Sequence, residues 1–363
     1  MSEVLTCQKF FDGVALHDSR RITFEDGVVT RIEAHDGPCD HHLISPGLVD
    51  IQMNGFSSVD VSRSNTQELA RLDDELFSLG TTSWLGTITT APLDALSGSI
   101  GTLDEAFSSG EISGFAGIHV EGPFLGQAPG AHRPDWIISM DEEWCEDLPK
   151  SVRLMTLAAE QPNVISGIKL LRTKGISVSI GHSRPTDAQW AAVREAGATI
   201  VTHLFNGMSG VQHRNEGLAL DALIDDGVYA GLIADMVHVS PKAVALAFKA
   251  KGGHRLCLVS DSVAWSSEWA TKRSIAIKDG APRLPDGTLA GSSTPLADCV
   301  RLAVTEAGVP VEEALRAATS SPTHAVGLAD VGYIREGEPA DLVAFDDSLH
   351  VMGAWRRLVS LRG

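Results

Sequence analysis

Eight short, near-continuous apolar runs, separated by segments of helical periodicity, constrain this chain's fold more than any other feature. The runs are Leu48 to Asn54, Thr82 to Thr89, Phe115 to Glu121, Val152 to Glu160, Ile176 to His182, Thr199 to Phe205, Val228 to Asp235 and Arg255 to Asp261. Strands apolar on both faces must be covered on both, which is the condition of parallel strands packed under helices. Helical patterns fill most gaps, over Thr66 to Leu79, Leu93 to Phe107, Val164 to Lys174, Thr186 to Ala196 and Pro241 to Lys251. Two more, Pro295 to Ala307 and Val311 to Ala318, follow the last run. Several stop at a glycine (Gly80, Gly175, Gly197, Gly252), as a left-handed helix terminus prefers. Eight such units predict an α/β fold, a (β/α)8 TIM-like barrel, with a doubly wound open sheet as the alternative.

The two ends of the chain read differently. Phe10-Phe11 before Asp12-Gly13, Arg21 to Phe24 before Glu25-Asp26-Gly27, and Val28 to Glu33 are short runs broken by Asp-Gly pairs, a hairpin signal. Gly332 to Arg335, Ala340 to Phe345 and Val351 to Arg357 return to that style. The expected organisation is a barrel over residues 46–330 and a small β-sandwich domain built from residues 1–45 and 331–363, which a length of 363 residues accommodates.

Charge narrows the partners. Lys and Arg number 29 against 47 Asp and Glu, a net charge of −18, so nucleic acid and anionic membrane surfaces are excluded as partners. An anionic small molecule then needs a local cluster of cations or backbone N–H groups. The start lacks the basic and apolar stretches of a secretory leader, and no apolar window of about 18 residues spans a bilayer. Five scattered cysteines without a C-x-x-C pair read as reduced thiols, and the expected location is the cytoplasm.

The chemistry stands at the strand ends. The third run ends His119-Val120-Glu121-Gly122-Pro123, the fifth Gly181-His182, the sixth Thr202-His203 and the eighth Ser260-Asp261. In a barrel these ends share one rim, where active sites form, and the long connections 122–150, 206–227 and 262–293 rise from it. Taken singly, each residue is an ordinary polar strand terminus. Together, a carboxylate and two imidazoles suit a divalent ion with an open position, and Asp261 is then available to carry protons. His119, two residues before Glu121, belongs one layer deeper, packed in the barrel interior.

At these residues the chain resembles a known family. Pro46-Gly47-Leu48-Val49-Asp50, His119-Val120-Glu121-Gly122-Pro123-Phe124, Gly130-Ala131-His132, Gly181-His182-Ser183, Thr202-His203-Leu204-Phe205-Asn206-Gly207-Met208, Gly231-Leu232-Ile233-Ala234-Asp235 and Gly287-Thr288-Leu289-Ala290-Gly291-Ser292 look like the N-acetylglucosamine-6-phosphate deacetylases of the amidohydrolase superfamily. The likeness extends from about residue 46 to Ala340-Asp341-Leu342-Val343. It implies that Glu121, His182 and His203 bind one divalent metal, Zn²⁺ or else Fe²⁺, and that Asp261 is the acid/base. It implies that His132 touches the acetyl carbonyl oxygen. Asn206, Gly207, Arg214 and His238 would hold the phosphate, the arginine in this family sometimes coming from the other subunit of a dimer. Ala131 and the segment Leu289, Ala290, Gly291 and Ser292 would line the sugar. The implied substrate is a phosphorylated N-acetyl amino sugar, and the implied assembly a homodimer.

The chain departs from wider relatives at the first strand, where Gln52-Met53-Asn54 replaces the His-x-His of two-metal sites. Carboxamides are weak ligands, so one ion is expected, with Gln52 and Asn54 hydrogen-bonding beside it. Met236 and Trp265 are bulkier than the family's usual residues, and Trp265, beside Asp261, is expected to reshape the sugar pocket. The competing readings are a deacetylase of a related N-acyl amino sugar, another amidohydrolase, and a non-catalytic barrel that binds a ligand.

Overall fold

A computed structural model of the protein describes residues 2–329 and 331–356. All eight apolar runs are strands: Leu48–Met53, Thr81–Thr89, Phe115–Glu121, Val152–Leu157, Ser177–Ile180, Ile200–Val201, Tyr229–Leu232 and Leu256–Leu258. They pair in chain order, each parallel to the next. Two backbone hydrogen bonds join the last to the first, Asp261 N to Gln52 O (3.0 Å) and Asn54 N to Ser262 O (3.0 Å). The Asp50 carboxylate covers the seam, accepting from Gln52 N (3.1 Å) and Ser260 N (3.3 Å). The sheet is therefore a barrel, and its seam lies directly beneath Asp261.

The barrel's interior carries a hydrogen-bonded polar layer. His119 Nε2 lies 2.8 Å from Thr156 Oγ1 and its Nδ1 3.2 Å from Thr87 Oγ1, while Thr202 Oγ1 meets Thr156 at 2.8 Å and Ser179 at 2.5 Å. Burial pushes His119 down to about 4, so it is a neutral packing residue, as its position two residues before Glu121 implies.

The helices follow the periodic segments closely; Pro241–Lys251 and Val311–Ala318 coincide with the expected bounds. Reciprocal caps, Asn65 with Glu68 and Thr186 with Gln189, start Thr66–Ser78 and Asp187–Ala196. Leu218–Ile224 and Ser320–Val326 carry no comparable signal. Neither has a side-chain N-cap, and the second contains Ser-Ser-Pro; its burial against the barrel overrides weak propensity.

The chain ends build one six-stranded sheet, in the order Val351–Trp355, Leu342–Phe345, His41–Pro46, Ser2–Phe11, Leu16–Glu25 and Val28–Ala34. Its alternation serves two cores. Phe10, Ile44, Leu342 and Ala344 close on Cys7, Ile22, Phe24 and Val29, whereas Phe11, Leu43, Val343 and Phe345 join the barrel's own core. The expected strand Gly332 to Arg335 does not form. Gly332 has φ 79° and Pro339 lacks an N–H, so this stretch meets the sheet through isolated bonds such as Ile334 N to Asp12 O (3.0 Å). Arg357, expected to close the last strand, lies outside the described residues. Among the described residues, no helix is long and apolar enough to cross a membrane.

Candidate active site

Glu121 is the last residue of its strand, whereas His182, His203 and Asp261 stand two or three residues past the ends of theirs. All three of the latter adopt left-handed backbone, with φ of 50°, 29° and 46°. Such values are uncommon outside glycine and concentrate at sites where surrounding structure enforces a side-chain direction. Here each turn carries a polar side chain from the strand end toward the barrel axis.

The three expected ligands converge. Glu121 Oε1 lies 3.2 Å from His182 Nε2 and 3.3 Å from His203 Nε2, and the two imidazole nitrogens are 3.0 Å apart. The edge of a tetrahedral zinc site with nitrogen and oxygen ligands is about 3.3 to 3.5 Å, so this triangle has the size of a shared ion's ligand face. Hydrogen bonding alone does not satisfy it. His182 Nδ1 donates to Ala128 O (3.0 Å), which in a neutral ring leaves a lone pair on Nε2 facing both the carboxylate and the other imidazole. The residues present therefore fit a divalent ion. Ligand atoms of Glu121, His132 and His182 also lie within 4.8 Å of one another, a second grouping able to hold a metal around the same carboxylate.

Electrostatics supports the same arrangement. Burial penalises charge on Glu121, yet the His182 and His203 imidazoles that face it hold its carboxyl well below the usual range. Burial, and then the Glu121 charge, push Asp261 up to about 6. The two carboxylates are bridged by Gln52, whose Nε2 donates to Glu121 Oε1 and to Asp261 Oδ1 (3.2 Å each), and Asn54 Nδ2 donates to Asp261 Oδ1 at 2.8 Å.

A cavity of about 570 Å³ opens over this cluster, within the range of small-molecule sites. Ala131, His132, Asn206, Gly207, His238, Leu289, Ala290 and Gly291 line it, as does Asp261. His132 is held by Thr90 Oγ1 at 2.9 Å from its Nδ1; burial, and then the neighbouring His182, lower it to about 3, so it is neutral. His238 is pinned through Nδ1 to Asp235 Oδ2 (2.7 Å). Burial opposes the Asp235 charge, but the bonds from His238 and from the backbone N–H of Val237 keep its carboxyl below the ordinary range.

Four expected residues fall outside the lining. Ser292 is buried behind it, held by its own hydrogen bonds, its N–H donating to Asp261 O (2.9 Å) and its Oγ accepting from Thr294 N (2.9 Å). Arg214 sits on the exposed loop 210–216. Trp265 packs edge-on against Phe56, with ring centroids 4.7 Å apart, and Met236 packs on the core, so neither lines the cavity itself. Conversely, Arg63, Arg133, Arg273, Trp136 and Trp269 line the cavity without having been singled out. Nothing in their local sequence separates them from solvated loop charges; only the way the connections fold over the rim brings them together.

Comparison with known proteins gives a consistent picture. Residues 43–359 match the amidohydrolase family. An N-acetylglucosamine-6-phosphate deacetylase of Haemophilus influenzae is 31% identical over 323 residues, covering 85% of this chain and 84% of that protein. An N-acetylgalactosamine-6-phosphate deacetylase of Shewanella sp. is 33% identical over 319 residues, covering 85% and 80% respectively. Among solved structures, a mutant N-acetyl-D-glucosamine-6-phosphate deacetylase of Mycobacterium smegmatis, in complex with N-acetyl-D-glucosamine-6-phosphate, superposes with a TM-score of 0.90 at 27% identity over 98% of both chains.

Proposed function

The chain belongs to the amidohydrolase family, among its N-acetylglucosamine-6-phosphate deacetylases, and from that membership we propose that it hydrolyses the N-acetyl group of N-acetylglucosamine 6-phosphate to acetate and glucosamine 6-phosphate. The observation that carries the reading is the 3.0 to 3.3 Å triangle of Glu121, His182 and His203 donors, linked through Gln52 to a cavity-facing Asp261.

One divalent ion is the implied cofactor, Zn²⁺ by ligand preference with Fe²⁺ also accepted, held by Glu121, His182 and His203. When bound it supplies Lewis-acid polarisation of the amide carbonyl and makes water easier to deprotonate. Asp261 takes the proton of the attacking water and returns it to the nitrogen, without which an amine is a poor leaving group. Asn54 and Gln52 fix the Asp261 oxygen that does this. His132 acts as donor to the carbonyl oxygen as negative charge develops there. The 2.9 Å contact of its Nδ1 with Thr90 Oγ1 fixes the ring, and this role requires the tautomer that carries a proton on Nε2.

The phosphate is assigned to His238, Asn206 and the Gly207 backbone, with Arg214 of a second subunit completing the site in a homodimer. The exposure of Arg214, outside its own chain's cavity, supports that arrangement. Ala131 and Leu289 to Gly291 are assigned to the sugar, with Ser292 supporting the loop from behind. Residues 46–330 form the catalytic unit and the terminal segments 1–45 and 331–363 the second domain. Five unpaired cysteines support a cytoplasmic setting.

The test is acetate release from N-acetylglucosamine 6-phosphate by protein of measured metal content, with the galactosamine epimer alongside. Turnover proportional to one bound ion per chain is expected. Protein that holds an ion at this site yet releases no acetate from either sugar overturns the reading.

A further inference from the structure

The cavity's lining includes residues that the chemistry so far does not use. His238 and Asn206 follow the seventh and sixth barrel strands, while a second set of lining residues, the arm, belongs mostly to the second strand and to the segments after the first three. Its residues are His132, assigned to the carbonyl oxygen, and Thr90, which holds it, together with the apolar Ile88, Ala91 and Leu96 and three guanidinium groups.

Those groups come from three separate connections. Arg63 follows the first strand, Arg133 the third and Arg273 the eighth, yet Arg273 reaches back to donate to Ala131 O (3.2 Å), beside His132. Arg63 and Arg273 both pack on Trp269, at 5.3 and 5.2 Å from its ring, and Arg133 lies over Trp136 at 4.4 Å. Two of the three charges are already matched: Arg63 pairs with Asp60 (2.6 Å) and Arg133 with Asp135 (2.5 Å). Arg273 has no carboxylate within ion-pairing distance among the described residues. It is half-buried; burial, and then the charges of Arg133 and Arg63, disfavour its own charge, which an anion placed among the three would relieve.

We propose that this arm binds a carboxylate carried on the acyl chain, so that the substrates include hexosamine 6-phosphates whose nitrogen bears a short dicarboxylic half-amide. The inference rests on the deacetylase reading, since it places the amide carbonyl at His132 and the sugar phosphate on the opposite side. The apolar stretch at Ile88, Ala91 and Leu96 takes the methylenes, and Arg273 takes the terminal carboxylate in the paired geometry a guanidinium offers. The step is the same hydrolysis: water's oxygen bonds to the acyl carbon, the carbon–nitrogen bond breaks, the nitrogen receives the proton, and a dicarboxylate leaves in place of acetate.

The experiment compares N-succinyl- with N-butanoyl-glucosamine 6-phosphate, acyl chains of equal carbon number that differ in terminal charge. For the wild-type enzyme, kcat/KM for the succinyl compound exceeds that for the butanoyl compound by about tenfold or more, the scale of one charge-assisted contact. In Arg273→Gln that ratio collapses toward unity, whatever happens to the absolute rates, and Arg63→Gln lowers it in the same direction should the first variant fold poorly. The same ratio is read in dissociation constants by calorimetry on Asp261→Asn protein. A wild-type ratio at or below unity, or a ratio unmoved by both arginine variants, overturns the proposal while N-acetyl turnover leaves the deacetylase reading standing. Charge-selective binding without turnover of any N-acyl compound instead overturns the deacetylase reading and leaves the anion site.

Discussion

Asp261 occupies a position where its type and its environment act together. A half-buried carboxyl raised to about 6 is ionised near neutrality yet basic enough to accept a proton from water. Asp261→Asn is expected to lower kcat by about 10² to 10⁴-fold while the ion content stays at the wild-type value, checked by steady-state kinetics beside elemental analysis. A variant that loses its metal would make Asp261 a ligand instead. Gly207 shows a subtler dependence. Its φ is +57°, and a Cβ there would stand 2.9 Å from His182 Nδ1, the atom that donates to Ala128 O. If His182 holds the proposed ion, Gly207→Ala should disturb the bond that orients its ring and weaken metal affinity by about 10 to 100-fold, measured by competition with a chelator. The identities of Glu121, His182, His203 and Asp261 were legible in the sequence, because an apolar run ending in a polar residue marks the rim of a parallel barrel. Their left-handed backbone was not legible: His and Asp adopt it without any sequence mark, and only packing forces it.

At the scale of elements, the seam between the last and first strands is where the barrel is least supported by ladder bonds, and Asp50 spans it. Burial pushes this carboxyl up to about 7, against the bonds from Ser260 and Gln52 that favour its charge. Unfolded, it titrates near its ordinary value of 3.8, so between about pH 4 and 7 the folded chain binds a proton that the unfolded chain does not. Its contribution to stability thus falls as pH rises through that window and is flat above it, by roughly 4 kcal/mol in all. Urea denaturation of wild type and Asp50→Asn across pH 4 to 8 should show the gap between them closing or reversing toward high pH. Parallel curves would mean that the carboxyl is ionised throughout. Elements themselves were readable wherever a period was long enough, as in Thr66–Ser78, with its Asn65 and Glu68 cap. They were unreadable where burial overrode composition, as in Ser320–Val326, and where Gly332 and Pro339 sit in an otherwise strand-like stretch.

For the whole molecule, an acidic chain must take up a doubly negative sugar phosphate, and its average charge of −18 opposes that. The charge that offsets it has to be local: of the residues assigned to the phosphate, His238 stands within the chain's own cavity, while Arg214 stands on an exposed loop outside it. An arginine that belongs to a neighbouring copy's site leaves no trace in one chain's sequence, because nothing there distinguishes a loop that reaches solvent from one that reaches a partner. Symmetry makes the arrangement testable. Arg214→Ala and Asp261→Asn each damage one component; if Arg214 serves the partner's cavity, a mixed dimer contains one site with both defects and one with neither. Random exchange of equal amounts makes half the dimers mixed, so about a quarter of all sites regain wild-type KM and kcat. Co-refolding the two variants and assaying deacetylation at low substrate should recover that fraction, and each variant refolded alone should not. Recovery no greater than the sum of the separate variants would assign Arg214 to its own chain, or to no site at all.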